Sequence, residues 1–212
     1  LWLTERVWEP ELAFDLAEAG VRDVLVDDRH FLVSGYRRDA LHVPYRTESD
    51  GGAVTLLAID ERLRYLIPFR PATELATYMR TLHAGGQPLA VFADDGEKFG
   101  GWPGTADWVY RRGWFDSFCD AIDTLRDEGV LRLVTGREAV AVVPCGGLTY
   151  LPTASYREME TWALPPEAAR RLTGLEAELG PERLAGPEGA HIRGSHWRNF
   201  LARYAEANRM QK

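Results

Sequence analysis

Two segments of the sequence place carboxylates among aromatic side chains. Residues 2–8 read Trp-Leu-Thr-Glu-Arg-Val-Trp and carry Glu5, and residues 92–102 carry Asp94, Asp95 and Glu97. Hydrolysis of a sugar bond with retention uses one ionised carboxylate to attack the anomeric carbon. A carboxylic acid about 5–5.5 Å away protonates the leaving oxygen. One carboxylate from each segment would supply such a pair, so these residue types predict chemistry on a carbohydrate.

Each of these carboxylates also has an ordinary structural interpretation. Glu5 could form an ion pair with its neighbour Arg6 or lie at the entry of a helix. Asp94 and Asp95 could cap a helix or shape a loop, although two adjacent acids directly after an apolar run favour a functional site. Successive residues of a strand face opposite ways, so only one of these two aspartates can point into a cleft.

The elements that would position these residues alternate between strands and helices. Apolar strands are predicted at 21–26 and 89–93, each ending in a polar cluster, and a shorter one at 131–134. A hairpin is predicted over 42–60 with its turn at 48–52. Helices are predicted at 10–19, 71–82, 165–179 and 195–210, with another that aligns Phe115, Phe118, Ile122 and Leu125, and a loop at 180–194. This alternation indicates an α/β fold with a parallel sheet.

The composition of the chain argues against several classes of binding partner. The chain has 212 residues, 45% of them hydrophobic, and a net charge of −7, so it can bury one core and does not suit a nucleic acid partner. No run approaches the roughly 18 apolar residues of a membrane span, which predicts no membrane partner. Cys119 and Cys145 form no disulfide framework and are interpreted as buried thiols, which predicts a cytoplasmic location. The sequence opens without Met and stops inside a helical pattern, so we expect a fragment.

The two carboxylate segments resemble the catalytic motifs of glycoside hydrolase family 57. Residues 2–7 resemble the nucleophile segment of that family, and residues 94–100, Asp-Asp-Gly-Glu-Lys-Phe-Gly, resemble its acid/base segment. The resemblance implies that Glu5 is the nucleophile and that Asp95 is the acid/base. It also implies that Trp2 and Trp102 line sugar subsites.

Further segments resemble the 4-α-glucanotransferase branch of the same family. They are residues 27–31, 63–70, 150–156 and 197–200. The resemblance implies an incomplete (β/α)7-type, TIM-like barrel over 1–212 with the hairpin as an insertion, and substrate contacts from Asp28, His30, Asp94 and Glu97. It implies a retaining enzyme that uses no metal and no cofactor.

The same resemblance implies an α-glucan or maltooligosaccharide substrate, with transfer favoured over hydrolysis. We expect the isolated chain to be inactive, because parts of the barrel would be missing, and the full-length protein is compatible with a homo-oligomer.

Two other functions are weighed against this one. A metal-dependent, polysaccharide deacetylase-like hydrolase would use Asp27, Asp28, Asp94 or Asp95 with histidines as ligands. The histidines are poorly spaced for that, since His191 and His196 form no HExxH pattern. A non-catalytic glucan-binding domain would keep the aromatic residues but has no need of two acids at separate strand ends.

Overall fold

A computed structural model describes residues 1–211, which form two compact units. Unit 1 comprises Leu1–Ala58 together with the chain from Cys145 onwards, and unit 2 comprises Ile59–Pro144. The helices are α1 Leu12–Glu18, α2 Asp28–Leu32, α3 Glu61–Leu66, α4 Ala72–Ala84, α5 Trp114–Asp127, α6 Gly136–Val142, α7 Arg157–Trp162, α8 Pro166–Ala185, α9 Pro187–Ala190, α10 Asn199–Arg203 and α11 Ala205–Gln211. The strands are β1 Asp23–Asp27, β2 Tyr45–Ser49 and β3 Gly52–Ile59.

The three strands form one sheet in the order β1-β3-β2. The predicted hairpin is confirmed, because β2 and β3 pair antiparallel from Tyr45↔Leu56 to Ser49↔Gly52. Asp50 and Gly51 form the two-residue turn with φ values of 46° and 85°. Positive φ at both central positions is the type I′ geometry that Asp-Gly favours. The hairpin is part of this sheet, since β3 is its middle strand.

The core of unit 1 lies between the sheet and the helices that cover it. Trp8, Val24, Phe31 and Leu56 are fully buried in one apolar cluster, against which the partly buried residues of α1 pack. A side chain at position 52 would meet the backbone of α1, since a Cβ on Gly52 would lie 2.6 Å from the Cα of Phe14. Glycine is therefore required for this close approach of hairpin and helix.

Unit 2 is helical, with its core between α3, α4 and α5. Leu63, Leu75, Val109 and Trp114 are buried in one apolar cluster. The indole N–H of Trp114 donates to the carbonyl of Arg70 at 2.6 Å, so this large side chain is buried with its polar atom satisfied.

Two predicted strands of unit 2 are wrong. Residues 89–93 and 131–134 belong to no strand, although the first segment approaches Asp60, whose N–H donates to the carbonyl of Val91 at 2.9 Å. A strand requires a ladder of such bonds with a neighbour. Neither run is part of a strand in the described residues, so hydrophobicity alone overpredicted strand.

The C-terminal elements also differ from the prediction. The helix expected over 165–179 continues to Ala185 through a kink at Gly180, whose φ is 74° and which precedes Pro181. The expected loop over 180–194 is therefore partly helical, and it contains α9. The single helix expected over 195–210 is two helices, α10 and α11, interrupted at Tyr204.

The mixed α/β class is confirmed by the sheet and its surrounding helices. No helix within residues 1–211 has both the length and the apolar character to cross a membrane. The two cysteines were predicted to be buried, but both thiols are exposed. Cys119 follows Phe118 by one position, which turns it about 100° from the buried stripe of α5.

Candidate active site

Glu5 lies on an unusual backbone turn in unit 1. The turn spans Thr4–Arg6, and both Glu5 and Arg6 have positive φ, at 52° and 44°. This region is disfavoured for residues other than glycine, and such conformations cost of order 1–3 kcal/mol each. Strain of this kind persists where the surroundings enforce it, so the backbone marks a place whose geometry is imposed by its contacts.

The chain is held on both sides of this turn. Trp2 pairs with Leu25 of β1 in a parallel bridge, and Trp8 pairs with Ala154 in an antiparallel bridge. The Trp8 N–H donates to the Ala154 carbonyl at 2.9 Å, and the Ala154 N–H donates back at 3.1 Å. Glu5 therefore lies between two anchored residues and is not a frayed end.

Two consecutive side chains bind Glu5 directly. The Ser155 hydroxyl donates to the Glu5 carbonyl at 2.7 Å, and the Tyr156 hydroxyl donates to Glu5 Oε2 at 2.6 Å. Glu5 is exposed, whereas Ser155 and Tyr156 are buried. The Glu5 carboxylate is thus accessible, while buried side chains bind the Glu5 carbonyl and one of its two carboxylate oxygens.

Arg6, unlike the exposed Glu5, is buried. Its Nε lies 3.4 Å from Asp27 Oδ2, and its guanidinium carbon lies 3.9 Å from the ring centroid of Tyr156. Asp27 also accepts from the Arg29 N–H at 3.1 Å and so caps α2. The sequence interpretation that paired Arg6 with Glu5 is replaced by a pair with Asp27.

Asp28 and His30 follow Asp27 and are buried. Asp28 Oδ2 accepts from Arg38 Nη1 at 2.6 Å. The two ring nitrogens of His30 face the Asp27 carbonyl at 2.8 Å and the Ala154 carbonyl at 3.2 Å. Burial lowers the pKa of His30, outweighing the nearby charge of Asp27. His30 thus links the segment around Ala154 to α2, and Asp28 links α2 to Arg38. The predicted contact of both residues with substrate stays a prediction.

In unit 2 the adjacent aspartates have opposite environments. The Asp94 side chain is 1% exposed and pairs with Lys98 Nζ and with Arg64 Nε, the latter at 3.4 Å. Asp94 Oδ1 also accepts the Asp95 N–H at 2.9 Å. The Asp95 side chain forms no hydrogen bond or ion pair with any residue in 1–211 and is partly exposed. Of these two aspartates in the described chain, Asp94 is therefore held by ion pairs and Asp95 has the more accessible carboxylate.

Lys98 is buried beneath two exposed aromatic rings. Burial lowers the pKa of Lys98, opposed by the hydrogen bond and charge of Asp94. Its Nζ lies 5.3 Å from the ring centroid of Phe69 and 5.7 Å from that of Trp102. These two rings stack at 5.8 Å with an interplanar angle of 22°. An exposed aromatic face of this kind suits the apolar face of a sugar.

Glu97 is exposed, and its backbone shapes the next turn. Its carbonyl accepts from the Gly101 N–H at 2.7 Å and from the Trp102 N–H at 3.1 Å. The residue thereby holds the backbone that carries Trp102. Contact of its side chain with a sugar stays a prediction.

Comparison with known proteins decides the family. Residues 1–152 match the sequence profile of the family described as Glycosyl hydrolase family 57. The chain belongs to this family. The 4-alpha-glucanotransferase of Thermococcus litoralis and the alpha-amylase of Pyrococcus furiosus are each 44% identical to it over 213 residues. Both alignments cover 100% of this chain and 32% of the relative, so the chain spans about a third of the length of these curated relatives.

A solved structure is closely similar to this chain. The crystal structure of 4-alpha-glucanotransferase from Thermococcus litoralis is similar over 98% of this chain and 32% of that chain, with a TM-score of 0.87 and 44% sequence identity. This similarity confirms the α/β fold. The transferase and the amylase are equally similar to this chain, so identity does not separate transfer from hydrolysis.

Sequence reasoning missed the residues that support the family 57 carboxylates. Tyr156, Ser155 and Arg6 hold Glu5 or its turn, and Arg64 with Lys98 holds Asp94. The signal for these residues was membership of family-like segments: Arg6 lies in 2–7, Lys98 in 94–100, Arg64 in 63–70, and Ser155 and Tyr156 in 150–156. Nothing in the spacing links position 5 to position 156, because the fold alone brings them together.

Glu5 belongs to unit 1 and Asp95 belongs to unit 2, so their separation and their catalytic roles stay predictions. Within residues 1–211, no group of three or more His, Cys, Asp or Glu side chains is arranged to hold a metal ion.

Proposed function

We propose that this chain carries the two catalytic carboxylates of a retaining enzyme that acts on α-1,4-glucans, with Glu5 as nucleophile and Asp95 as acid/base. The observation that carries the proposal is the exposed Glu5 carboxylate, held on a strained turn by the Tyr156 hydroxyl, in a family 57 chain. An exposed anion with a fixed position is what attack on an anomeric carbon requires.

The first step would form a covalent glycosyl-enzyme. The protonated Asp95 gives its proton to the glycosidic oxygen as the carbon–oxygen bond breaks, and a Glu5 oxygen bonds to the anomeric carbon. The shortened glucan leaves with a new hydroxyl group. This step requires the two carboxyl groups to be about 5–5.5 Å apart.

The second step would release the sugar to an acceptor. The Asp95 carboxylate takes a proton from water or from a sugar hydroxyl, whose oxygen attacks the anomeric carbon while the bond to Glu5 breaks. Water gives hydrolysis and a sugar gives transfer. We favour transfer, because the segments at 27–31, 63–70, 150–156 and 197–200 resemble the glucanotransferase branch.

The remaining site residues would bind the glucan or support the residues that do. Exposure favours Trp102 as a stacking platform and Glu97 as a partner for sugar hydroxyls. Trp2 is half-buried beside β1, and Asp28, His30 and Asp94 are buried. We propose that Asp28, His30 and Asp94 stabilise the backbone around the site. The proposal keeps contact with an α-glucan or maltooligosaccharide for these three residues as well as for Trp2, Trp102 and Glu97.

The proposal extends to the protein that contains the chain. We propose that residues 1–212 form part of one catalytic domain with a (β/α)7-type barrel, in a cytoplasmic enzyme that works as a monomer or a homo-oligomer without metal or cofactor. The α/β fold that the chain shares with a solved glucanotransferase supports the barrel. The two-carboxylate chemistry itself calls for no metal.

The decisive experiment is Glu5→Gln in the full-length protein. The change removes the nucleophile without removing bulk, so turnover of maltooligosaccharides should be abolished while sugar binding is kept. Brief reaction of the wild type with a 5-fluoro-glucosyl fluoride should add one glycosyl mass to the peptide containing Glu5. Glu18→Gln, an exposed glutamate of α1, is the matched control and should behave as wild type. Turnover by Glu5→Gln, or a label on another residue, would overturn the assignment.

A further inference from the structure

Tyr156 makes a direct side-chain contact with the proposed nucleophile. Its hydroxyl donates to Glu5 Oε2 at 2.6 Å, a short distance typical of a donor on a charged oxygen. The preceding residue, Ser155, donates to the Glu5 carbonyl at 2.7 Å. One dipeptide therefore fixes Glu5 both at its backbone and at one carboxylate oxygen.

The ring of Tyr156 is itself immobilised. The Arg6 guanidinium lies 3.9 Å from its centroid, and Trp162 meets it edge to face at 5.8 Å and 89°. Arg6 cannot move freely, because it is buried and paired with Asp27. The packed ring therefore fixes the direction of the Tyr156 hydroxyl. Because the side chain is already ordered, its hydrogen bond to the carboxylate costs little conformational entropy.

Tyr156 remains a hydrogen-bond donor over the working range of an enzyme. Burial, and then the hydrogen bond to Glu5, raise the pKa of Tyr156 well above its ordinary value. The charged groups that act on this hydroxyl are Glu5, Arg6 and Glu158. Because only Arg6 favours the phenolate, the O–H form is retained and can only donate toward Glu5.

We propose that Tyr156 is the positioning residue of the nucleophile, and that it reserves one Glu5 oxygen as a hydrogen-bond acceptor so that the other oxygen attacks the sugar. The inference rests on the proposed function, since it gives Glu5 the nucleophilic role. The held oxygen becomes the carbonyl of the glycosyl ester in the first step. In the second step the same hydrogen bond stabilises the negative charge that returns to the carboxylate.

The first test is Tyr156→Phe in the full-length protein. We expect kcat on maltooligosaccharides to fall roughly 10- to 100-fold with KM little changed, the size of effect that a small misplacement produces. Tyr36→Phe is the matched control, because its hydroxyl also makes a partly buried hydrogen bond, to Thr149 at 2.9 Å. It should lose comparable thermal stability and keep its kcat. Equal kcat values for the two variants would overturn the inference.

The second test asks whether Tyr156 acts through Glu5. In a Glu5→Ala background, azide would attack a maltosyl fluoride in place of the carboxylate, forming a carbon–nitrogen bond as fluoride leaves. Adding Tyr156→Phe should then change the azide-dependent rate by no more than about twofold, because the group it positions is gone. A full loss in this background would show a merely structural role and would also overturn the inference.

The same variants separate this inference from the proposed function. If Glu5→Ala turned over maltooligosaccharides without azide, the nucleophile assignment itself would fail. If Glu5→Ala were inactive and rescued by azide while Tyr156→Phe resembled Tyr36→Phe, only the positioning role would fail.

Discussion

Glu5 in unit 1 and Asp95 in unit 2 have similar surroundings, except that the buried neighbouring residue has the opposite charge in the two units. Each proposed catalytic carboxylate adjoins a buried charged residue in the chain. Glu5 precedes Arg6, a buried cation paired with Asp27. Asp95 follows Asp94, a buried anion paired with Arg64 and Lys98. In both regions the buried neighbour is held by ion pairs, while the proposed catalytic carboxylate is exposed at Glu5 and partly exposed at Asp95.

The two regions differ in what they do to the exposed carboxylate. Glu5 accepts a hydrogen bond from Tyr156, whereas the Asp95 side chain has no such donor among residues 1–211. A nucleophile must stay ionised and fixed, but an acid/base must gain and lose a proton in each cycle. The hydrogen bond from Tyr156 fixes the Glu5 carboxylate in place, and no residue in 1–211 fixes the Asp95 side chain in this way. The comparison therefore favours Glu5 over Asp95 as the nucleophile.

Asp95→Asn tests this difference between the two carboxylates and should have the largest effect. Removal of the acid should slow turnover of maltooligosaccharides by about 10²–10⁴-fold, the usual size of a general acid–base contribution. Glycosyl fluorides need no protonation of their leaving group, so their first step should be affected far less. The measurement is the pre-steady-state release of fluoride, which reports the first step alone, compared with the turnover of maltooligosaccharides in the full-length protein.

Asp123→Asn is the control for this change. Asp123 is an exposed aspartate of α5 whose carboxylate pairs with Arg126 on the surface. It should behave as wild type with both substrates. Equal losses on fluorides and on maltooligosaccharides for Asp95→Asn would reverse the acid/base assignment.

A second effect concerns the buried neighbour in unit 2. Asp94→Asn would leave Arg64 and Lys98 without their shared buried carboxylate. Breaking a buried ion pair by removing one partner typically costs about 3–5 kcal/mol, so the melting temperature should fall clearly. Asp107→Asn, whose carboxylate pairs with the exposed Arg111 and Arg112, should leave it unchanged. Similar melting of the two variants would mean that the Asp94 pairs contribute little.

The sequence predicted the elements that local patterns determine. The Asp50-Gly51 turn fixed the hairpin, since two positive φ values suit that dipeptide. The stripe of α5 was placed correctly at Phe118, Ile122 and Leu125. Phe115 was wrongly assigned to that stripe, because Trp114 occupies the buried position and Phe115 is exposed. A helical pattern alone does not fix which of two adjacent aromatic residues faces the core.

The wrong predictions concern features that depend on residues far apart in the sequence. The run at 89–93 is apolar enough for a strand, but it is not part of a strand in the described residues. The site shows the same limit. Glu5 and Asp95 stood out because of motifs, whereas Tyr156 and Arg64 act through contacts that no spacing in the sequence encodes.

The smallest expected effect is a difference in acid sensitivity between the two regions. His30 is fully buried in unit 1, between the carbonyls of Asp27 and Ala154, whereas His83 of unit 2 is exposed. Burial lowers the pKa of His30 below its ordinary value of 6.5. In the window between that lowered value and 6.5 the unfolded chain binds a proton that the folded chain does not. Stability therefore rises with pH through this window, is complete above it, and falls on acidification.

This sign gives a defined measurement. On acidification below pH ~6.5, the free energy of unfolding should fall by up to about 1.4 kcal/mol per pH unit from this one group. Thermal melts of the wild type and of His30→Gln at a series of pH values would isolate it, because the variant should lose that part of the slope. His191→Gln, which changes an exposed histidine of unit 1, is the matched control for the substitution itself. If His30→Gln kept the same slope, His30 would be protonated in the folded state and would donate to both carbonyls. The segment that leads to Ser155 and Tyr156 would then be held by a charged group.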